Sequence, residues 1–234
     1  MNILVIGDER RWEEWKQTAG EVGMEWKALL SEVRDWEHHQ LVIDLTFDEH
    51  PRRAAVYRDF PHITVLGSMV KSSWRMLKAE AAGNVALNVI GCNLLPGFMG
   101  MKVKEITLAF SEQQQRLQQA MQQLGWTYEI VGDQAGMVTP RVVSMIINEA
   151  YYAAEQQVAS RGDIDISMKL GTNYPYGPFE WCEKIGIQQV YEVLQAVYRE
   201  TGQERYKICE LLQAEYFQYM KSLAANREEI GTDT

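Results

Sequence analysis

The apolar residues of this chain follow one spacing before residue 136 and another after residue 140. In the first part, short apolar runs are separated by segments long enough to form helices, which is typical of a parallel sheet with crossover helices. These runs cover residues 3–6, 41–45, 63–66 and 87–90. In the second part, apolar residues recur every three or four positions, the spacing of an amphipathic helix. The sequence therefore predicts an α/β sheet domain over residues 1–135 and an all-helical domain over residues 136–234.

Local signals predict where individual elements begin and end. Ser111 begins a capping-box pattern, so a helix is expected to follow it and to stop near Gly125. A strand is expected directly after that stop, over residues 126–131. A further helix is predicted over residues 72–82, and a loose polar tail is predicted from about Asn226, where the apolar spacing ends.

Composition narrows the classes of partner and compartment. The 234 residues include 32 acidic and 23 basic side chains, a formal net charge of −9, with no Lys/Arg cluster that could neutralise a run of phosphates. No nucleic-acid partner is therefore expected. The first residues do not read as a signal peptide, and no apolar run is long enough to span a bilayer, so no membrane association is expected. Three widely spaced cysteines without a C-x-x-C pair favour neither disulfides nor a zinc site, and a cytoplasmic protein is predicted.

Four motifs in the second part carry a family signal. They read A-G-M-V-T-P-R at 135–141, N-E-A at 148–150, D-I-D-I-S-M-K-L-G at 163–171 and Y-P-Y-G-P-F-E at 174–180. Their order and spacing resemble the carboxyl-terminal helical domain of the 3-hydroxyacyl-CoA dehydrogenases. The resemblance implies a Rossmann-like first domain and a homodimer packed through the helical domain. The first domain is shortened, because only about ten residues separate Leu30 from Leu41, where the family has a long helical excursion that helps to hold coenzyme A.

The resemblance also implies a dinucleotide site after the first strand, and this chain departs from it. The family's strand ends in G-x-G-x-x-G, whose glycines let the backbone and a helix N-terminus approach a pyrophosphate. Gly7 matches the first glycine, whereas Glu9 and Trp12 stand at the second and third. An acidic and a bulky side chain oppose that ligand, so Gly7 is interpreted as a vestige of the NAD site. A cleft plugged by Trp12 and Glu9 would exclude the dinucleotide.

The acid that would bind the adenine ribose falls on Leu30. A shift of register by a few residues would bring Glu32 or Asp35 to that place, and this alternative stays open. In either case no cofactor is expected unless the family activity is retained, when it would be NAD.

The family's catalytic histidine and its glutamate partner fall on Asn93 and Glu105. An amide cannot accept the hydroxyl proton near pH 7, and loss of such a base typically costs on the order of a hundredfold to ten-thousandfold in rate. The family's serine falls on Ser72, with Ser68 as the alternative. Two active-site asparagines of the family fall on Pro96 and Pro140, which have no hydrogen-bonding side chain.

Each of these residues also has a purely structural interpretation. Asn93 followed by a Pro-Gly pair is typical of a turn after a strand, and Pro140 after Thr139 is a preferred start for a helix. Residues 103–110 alternate between apolar and polar side chains, which predicts a strand with one buried face and Glu105 on the solvated one.

Three further groups of side chains are explained without a role in catalysis or ligand binding. Cys92 lies in an apolar strand and is expected to be an inert thiol. The histidines at 38, 39 and 50 lack metal-ligand spacing and are expected on the surface, so no metal site is predicted. The aromatic residues between 174 and 181 are interpreted as a packed corner of the helical domain.

Three hypotheses follow. The first is a degenerate family member, without normal dehydrogenase activity, that acts as a dimeric binding or scaffolding protein for an unknown ligand. The second is an NAD(P)-dependent oxidoreductase of the same type that acts on a different hydroxy or keto substrate. The third is a partner subunit whose cleft is completed by another chain.

Overall fold

The computed structural model describes residues 2–19, 23–80 and 86–231. The chain divides into two compact units, Met1–Val138 and Thr139–Thr234. The predicted division after residue 135 lies slightly before this one, in the connection that precedes the first long helix.

The first unit is built on a seven-stranded sheet in the order β2-β1-β3-β4-β5-β6-β7. The strands are β1 (Ile3–Ile6), β2 (Met24–Lys27), β3 (Leu41–Asp44), β4 (Thr64–Ser68), β5 (Val89–Cys92), β6 (Val103–Thr107) and β7 (Thr127–Ile130). The chain moves outward from β1 to β2, then returns to place β3 on the other side of β1. This reversal of strand order is the topological switch point at which Rossmann-like sheets bind dinucleotides, outside the carboxyl ends of the strands.

Helices accompany the strands in the first unit and make up the second. They are α1 (Glu9–Ala19), α2 (Ala54–Arg58), α3 (Trp74–Glu80), α4 (Gln114–Leu124), α5 (Thr139–Glu155), α6 (Arg161–Thr172), α7 (Pro178–Ile185), α8 (Ile187–Thr201) and α9 (Glu210–Gly231). The predicted fold class, a Rossmann-like sheet domain followed by an all-helical domain, is confirmed. Short 3-10 turns at Leu30–Glu32 and Trp36–His38 lie between β2 and β3, where the family resemblance implies a helical excursion.

Several predicted element limits are refined. Gly125 ends α4 in the left-handed region, at φ +66°, as expected for a helix stop. The start of that helix differs from the prediction. A 3-10 turn covers Ser111–Gln113 and α4 begins at Gln114. The Gln113 carboxamide accepts the backbone N–H of Phe110 at 3.1 Å. The helix predicted over 72–82 is seen as α3, and residues 81 and 82 lie outside the described part. Helix α9 continues to Gly231, past the point where a loose tail was expected.

The sheet is parallel except between β5 and β6. These two strands are antiparallel because residues 93–102, which join them, form turns rather than the crossover helix that a parallel connection requires. The sheet is therefore parallel through β5, as expected from the apolar runs, and one antiparallel pair follows. The reversal brings the end of β5 beside the interior of β6.

The strands in the middle of the sheet do not alternate between apolar and polar residues, as strands with one solvent-exposed face do. All four residues of β1, β3 and β5 are buried, since both faces of the sheet are covered. Strand β6 behaves in the same way from Lys104 to Thr107. The prediction of a single buried face for β6 was therefore wrong, because β6 is an interior strand between β5 and β7.

Candidate functional site

Asn93 and Glu105 are neighbours in the structure. The backbone N–H of Asn93 donates to the carbonyl of Glu105 at 2.9 Å, and the two side chains meet with Nδ2 3.5 Å from Oε2. Glu105 Oε2 also accepts the backbone N–H of Val138 at 3.2 Å. Only 7% of Glu105 is exposed, so the expectation of a solvated carboxylate was wrong. The antiparallel β5–β6 pairing brings this pair together.

The Asn93 side chain supports a turn. Its Oδ1 accepts the backbone N–H of Leu95 at 3.4 Å, the two-residue spacing by which asparagine stabilises a turn after a strand. Pro96 is buried in the same turn. The adjacent Cys92 is also buried, which raises the pKa of its thiol to about 12, so it is a poor nucleophile near neutral pH. The chemistry available here is hydrogen bonding by an amide and a carboxylate.

The two candidate serines are placed differently. Ser68, at the end of β4, donates through Oγ to Asp48 Oδ2 at 3.3 Å. Ser72 is buried, and among the described residues no hydrogen bond joins it to Asn93 or Glu105. Its neighbour Ser73 has a structural role, because its Oγ accepts the N–H of Met76 at the start of α3.

Gly7 is required because Leu45, just after β3, packs closely against it. A Cβ at this position would lie 2.9 Å from the Leu45 Cβ, closer than real side chains approach. The Gly7 carbonyl also accepts the indole N–H of Trp26 at 2.9 Å. The glycine therefore has a structural cause that involves no cofactor.

The helix that follows Gly7 carries its own anion at its N-terminus. Asp8 Oδ1 accepts the backbone N–H of Arg11 at 3.0 Å, so a carboxylate occupies the end of α1 that faces a pyrophosphate in Rossmann folds. Glu9 is exposed, and Trp12 stacks on Trp26 with ring centroids 5.9 Å apart. Trp12 is thus held by an indole of β2, and Trp12 and Glu9 do not form the plug whose presence the sequence left open.

Charged side chains instead link the carboxyl ends of β1, β3 and β4, and we call Arg11, Asp48, Glu49 and Lys71 the crevice network. Arg11 of α1 pairs with Glu49, which follows β3, and Lys71 Nζ approaches the same Glu49 oxygen at 2.6 Å. Asp48 Oδ2 accepts the backbone N–H groups of Val70 and Lys71, each at 3.0 Å. Arg11 and Lys71 are both at least nine-tenths buried.

The pKa values of the two acids in the network are shifted in opposite directions. Burial alone would raise the pKa of Glu49, but the hydrogen bond from Arg11 and the charges of Lys71 and Arg11 outweigh it and lower the pKa to about 2. Burial raises the pKa of Asp48, and the charge of Lys71 opposes this only partly. Glu49 is therefore a firmly ionised partner for both cations.

These residues do not fit a dinucleotide. The pyrophosphate position at α1 is taken by Asp8, and the cations nearest the switch point, Arg11 and Lys71, are both paired with Glu49. Leu30, at the place of the ribose acid, has no oxygen in its side chain. The alternative Asp35 lines a cavity with Asn2, Gly23 and His39, at the amino ends of β1 and β2. These amino ends lie opposite the carboxyl ends of the strands, where the switch point is. Glu32 is exposed in a 3-10 turn.

The family motifs of the helical unit have structural functions. Asp165, in D-I-D, accepts the backbone N–H of Phe179 at 2.9 Å and that of Glu180 at 3.3 Å, and so caps α7. A Cβ on Gly177 would overlap the Asp165 carboxyl group. Asn148, in N-E-A, donates to the Lys207 carbonyl and accepts from the Cys209 N–H, each at 2.9 Å. Pro140 is buried in the first turn of α5.

The aromatic corner of this unit is packed as predicted. The ring centroids of Tyr174 and Trp181 lie 5.2 Å apart, and those of Tyr176 and Trp181 lie 6.5 Å apart. The Lys184 ammonium lies 4.4 Å from the Tyr176 ring centroid, which gives this corner a cation–π contact.

Sequence reasoning missed the crevice network and misplaced one histidine. Asp48 and Glu49 lie shortly after the buried strand β3, so the two acidic residues could have been identified from the sequence. Their basic partners could not, because they are distant in sequence. His39, expected on the surface, is buried, with Nε2 3.6 Å from Glu25 Oε2.

In the described ranges, no group of three or more His, Cys, Asp or Glu side chains is arranged to hold a metal ion. No described helix combines the length and apolar character needed to cross a membrane.

Comparison with known proteins gives the same lineage as the motifs. The family model for the carboxyl-terminal domain of 3-hydroxyacyl-CoA dehydrogenase matches residues 136–223. Over 92 residues the chain is 46% identical to 3-hydroxyadipyl-CoA dehydrogenase of Escherichia coli K12, which covers 39% of this chain and 19% of that enzyme. It is 27% identical over 213 residues to a probable 3-hydroxybutyryl-CoA dehydrogenase of Bacillus subtilis, covering 86% of this chain and 72% of the relative.

Solved structures share the fold along most of the chain. The crystal structure of FadB2 from M. tuberculosis superposes with a TM-score of 0.69 at 15% identity, covering 91% of this chain and 92% of that one. (S)-3-hydroxybutyryl-CoA dehydrogenase PaaH1 from Ralstonia eutropha gives a TM-score of 0.66 at 16% identity, with the same coverage. Residues 136–223 therefore match the carboxyl-terminal domain of the 3-hydroxyacyl-CoA dehydrogenases, and the chain as a whole is similar to members of that family in sequence and fold.

Proposed function

We propose that this protein does not act as an ordinary dehydrogenase and serves as a dimeric binding or scaffolding protein on the family fold. The observation that carries the proposal is the crevice network, together with Asp8, at the switch point of the sheet. A dinucleotide would bring a doubly charged pyrophosphate to a helix end that a carboxylate already caps. It would also have to separate Arg11 and Lys71 from Glu49, and breaking such buried pairs is costly.

The Asn93–Glu105 pair supports the same conclusion. Oxidation of a hydroxyl group by hydride transfer requires a base for the hydroxyl proton, and an amide nitrogen does not supply one at neutral pH. Glu105 already accepts hydrogen bonds from Val138 and Asn93. Its carboxylate therefore anchors a turn and a connecting segment in this structure.

NADH binding and acetoacetyl-CoA reduction test this proposal. We expect no saturable change in NADH fluorescence and no reduction above the protein-free rate, with a working 3-hydroxybutyryl-CoA dehydrogenase as the positive control. The Asn93→His variant should also remain inactive, because it restores a base without clearing the switch point. NADH binding by the wild type, with turnover that Glu105→Gln abolishes, would refute the proposal.

One observation favours the second function, an oxidoreductase with a different hydroxy or keto substrate. Glu105 keeps the family position and is buried beside Asn93, so a carboxylate remains where the reaction takes place in the family. A panel of short keto acids and diketones with NADH or NADPH tests it. Turnover that depends on Glu105 with any of these substrates would replace the scaffolding function with this one.

We further propose that the helical unit forms the homodimer. On α6, Ile166 is 53% exposed and Leu170 is 82% exposed, and their four-residue spacing places both on one face. Adjacent exposed apolar side chains of this kind are typical of interfaces. The exposed α6 face, defined by these two residues, is therefore the surface that we expect the second copy to cover.

Leu170→Glu should shift the protein from dimer to monomer, because an unpaired charge would be buried at the interface. Size-exclusion chromatography with light scattering measures the change. The matched control is Leu29→Glu in the first unit, where Leu29 is 56% exposed, and this variant should remain dimeric. A monomeric wild type, or a stable complex with a different chain, would contradict the homodimer, and the latter would favour a partner-subunit role.

We place the protein in the cytoplasm on the state of its thiols. Cys92, Cys182 and Cys209 are buried free cysteines. Stable disulfides are typical of oxidising compartments, so free thiols support a reducing one.

A further inference from the structure

A second concave surface lies within the helical unit, between α5 and the segment of Arg205 and Tyr206. Its volume is about 370 Å³, within the range of small-ligand pockets. The apolar wall is formed by Val142, Met145 and Ile146 of α5, whose spacing of three and four residues places them on one face. Val142 is 54% exposed, so this wall is open to solvent.

Two arginines of the lining contact the same aromatic ring. The Arg141 Cζ lies 5.0 Å from the ring centroid of Tyr206, and the Arg205 Cζ lies 4.6 Å from the same centroid. Arg205 Nη2 also donates to the Tyr206 hydroxyl at 2.6 Å. Tyr206 itself is buried, so its ring holds both cations beside the pocket.

The charge of the lining is opposite to that of the chain. Its ionisable side chains are Arg141, Arg205 and Glu149, two cations and one carboxylate, which gives a net charge of +1. The whole chain has a formal charge of −9. A local excess of guanidinium groups attracts an anion, and their planar donors match a carboxylate.

We propose that this pocket binds a monoanionic amphiphile, an aliphatic carboxylate whose head group meets Arg141 and Arg205 and whose chain lies on Val142, Met145 and Ile146. A carboxylate balances the net charge of the lining, whereas a phosphate ester would bring nearly two negative charges beside Glu149. Met145 is an unbranched, adaptable side chain that suits an apolar chain of variable length. The proposal does not depend on the absence of dehydrogenase activity.

Isothermal titration calorimetry with decanoate tests the site in the full-length protein. Decanoate should bind saturably, and decyltrimethylammonium, which has an apolar chain of the same length and a positive head group, should not. Arg205→Gln should weaken decanoate binding about tenfold or more, since it removes a charge-assisted hydrogen bond. Arg199→Gln, the same change on an exposed residue of α8, should leave the affinity unchanged.

Val142→Glu separates binding in this pocket from binding elsewhere. It places a carboxylate on the exposed wall and should abolish decanoate binding while leaving the circular dichroism spectrum unchanged. The proposal is overturned by a failure of wild-type protein to bind decanoate, by equal affinities of the Arg205→Gln and Arg199→Gln variants, or by unaltered binding to folded Val142→Glu. None of these outcomes bears on NADH binding, which is measured separately.

Discussion

Gly177→Ala is expected to destabilise the helical unit by about 3–4 kcal/mol, the combined cost of overpacking and of a lost helix cap. The added Cβ would overlap the Asp165 carboxyl group, which must then move away from the backbone N–H groups of Phe179 and Glu180. Those donors at the start of α7 would lose their acceptor. Urea denaturation followed by circular dichroism at 222 nm measures the loss.

Gly171→Ala is the matched control, because a Cβ at this position would meet nothing within 4 Å. Gly171 lies inside α6, where alanine favours the helix by up to about 1 kcal/mol, so the control should be neutral or slightly stabilising. The double variant with Asp165→Gly should show strong coupling, since the clash with the Asp165 carboxyl group and Cβ disappears with that side chain. A Gly177→Ala protein as stable as the wild type would disprove the steric account.

Glu49→Gln should lower the free energy of unfolding by about 3 kcal/mol at pH 7, because it leaves Arg11 and Lys71 buried without their shared carboxylate. The effect should depend on pH. The pKa of Glu49 is lowered to about 2 in the folded chain, against an ordinary value of 4.5. Its stabilisation is therefore fully present above pH 4.5 and is lost as the pH falls toward 2. Denaturation at pH 7, 5, 4 and 3 should show the difference between variant and wild type shrinking.

Asp48 contributes with the opposite sign, because its raised pKa means that protonation at falling pH favours the folded chain. Both proteins in the comparison retain Asp48, so the difference between them reports mainly on Glu49. Glu13→Gln is the control, since the exposed Glu13–Lys16 pair should contribute well below 1 kcal/mol at any pH. Equal effects of the two substitutions, or an effect of Glu49→Gln that is as large at pH 3 as at pH 7, would contradict the assignment.

Local signals in the sequence predicted most of the fold. The apolar runs identified β1 and β3, helical spacing identified the second unit, and Gly125 ended α4 as expected. The antiparallel direction of β6 was not predicted, because strand direction depends on the connection through residues 93–102. Burial of Glu105 was missed for the same reason, since its covered position depends on strands and segments distant in sequence.

The candidate site was predicted by position and misjudged in its interactions. Asn93 and Glu105 were expected to be close, and they are hydrogen-bonding neighbours. Glu9 and Trp12, the residues that replace glycines, were expected to oppose a pyrophosphate at the switch point, and whether they plug the cleft was left open. The charged groups found there are Arg11, Glu49 and Lys71, whose ion pairs join residues that are 38 and 22 positions apart in the sequence. Long-range ion pairs of this kind leave no periodic signal in a single sequence.

The crevice network also makes the ends of three strands a single cooperative unit. The segment after β4 cannot leave the sheet without breaking the bonds of Lys71 to Asp48 and Glu49, and the latter also binds Arg11 of α1. Local opening in one of these loops must therefore release all three. Amides near these loops should exchange with solvent deuterium at one shared rate, slower than those of the exposed turns between β2 and β3.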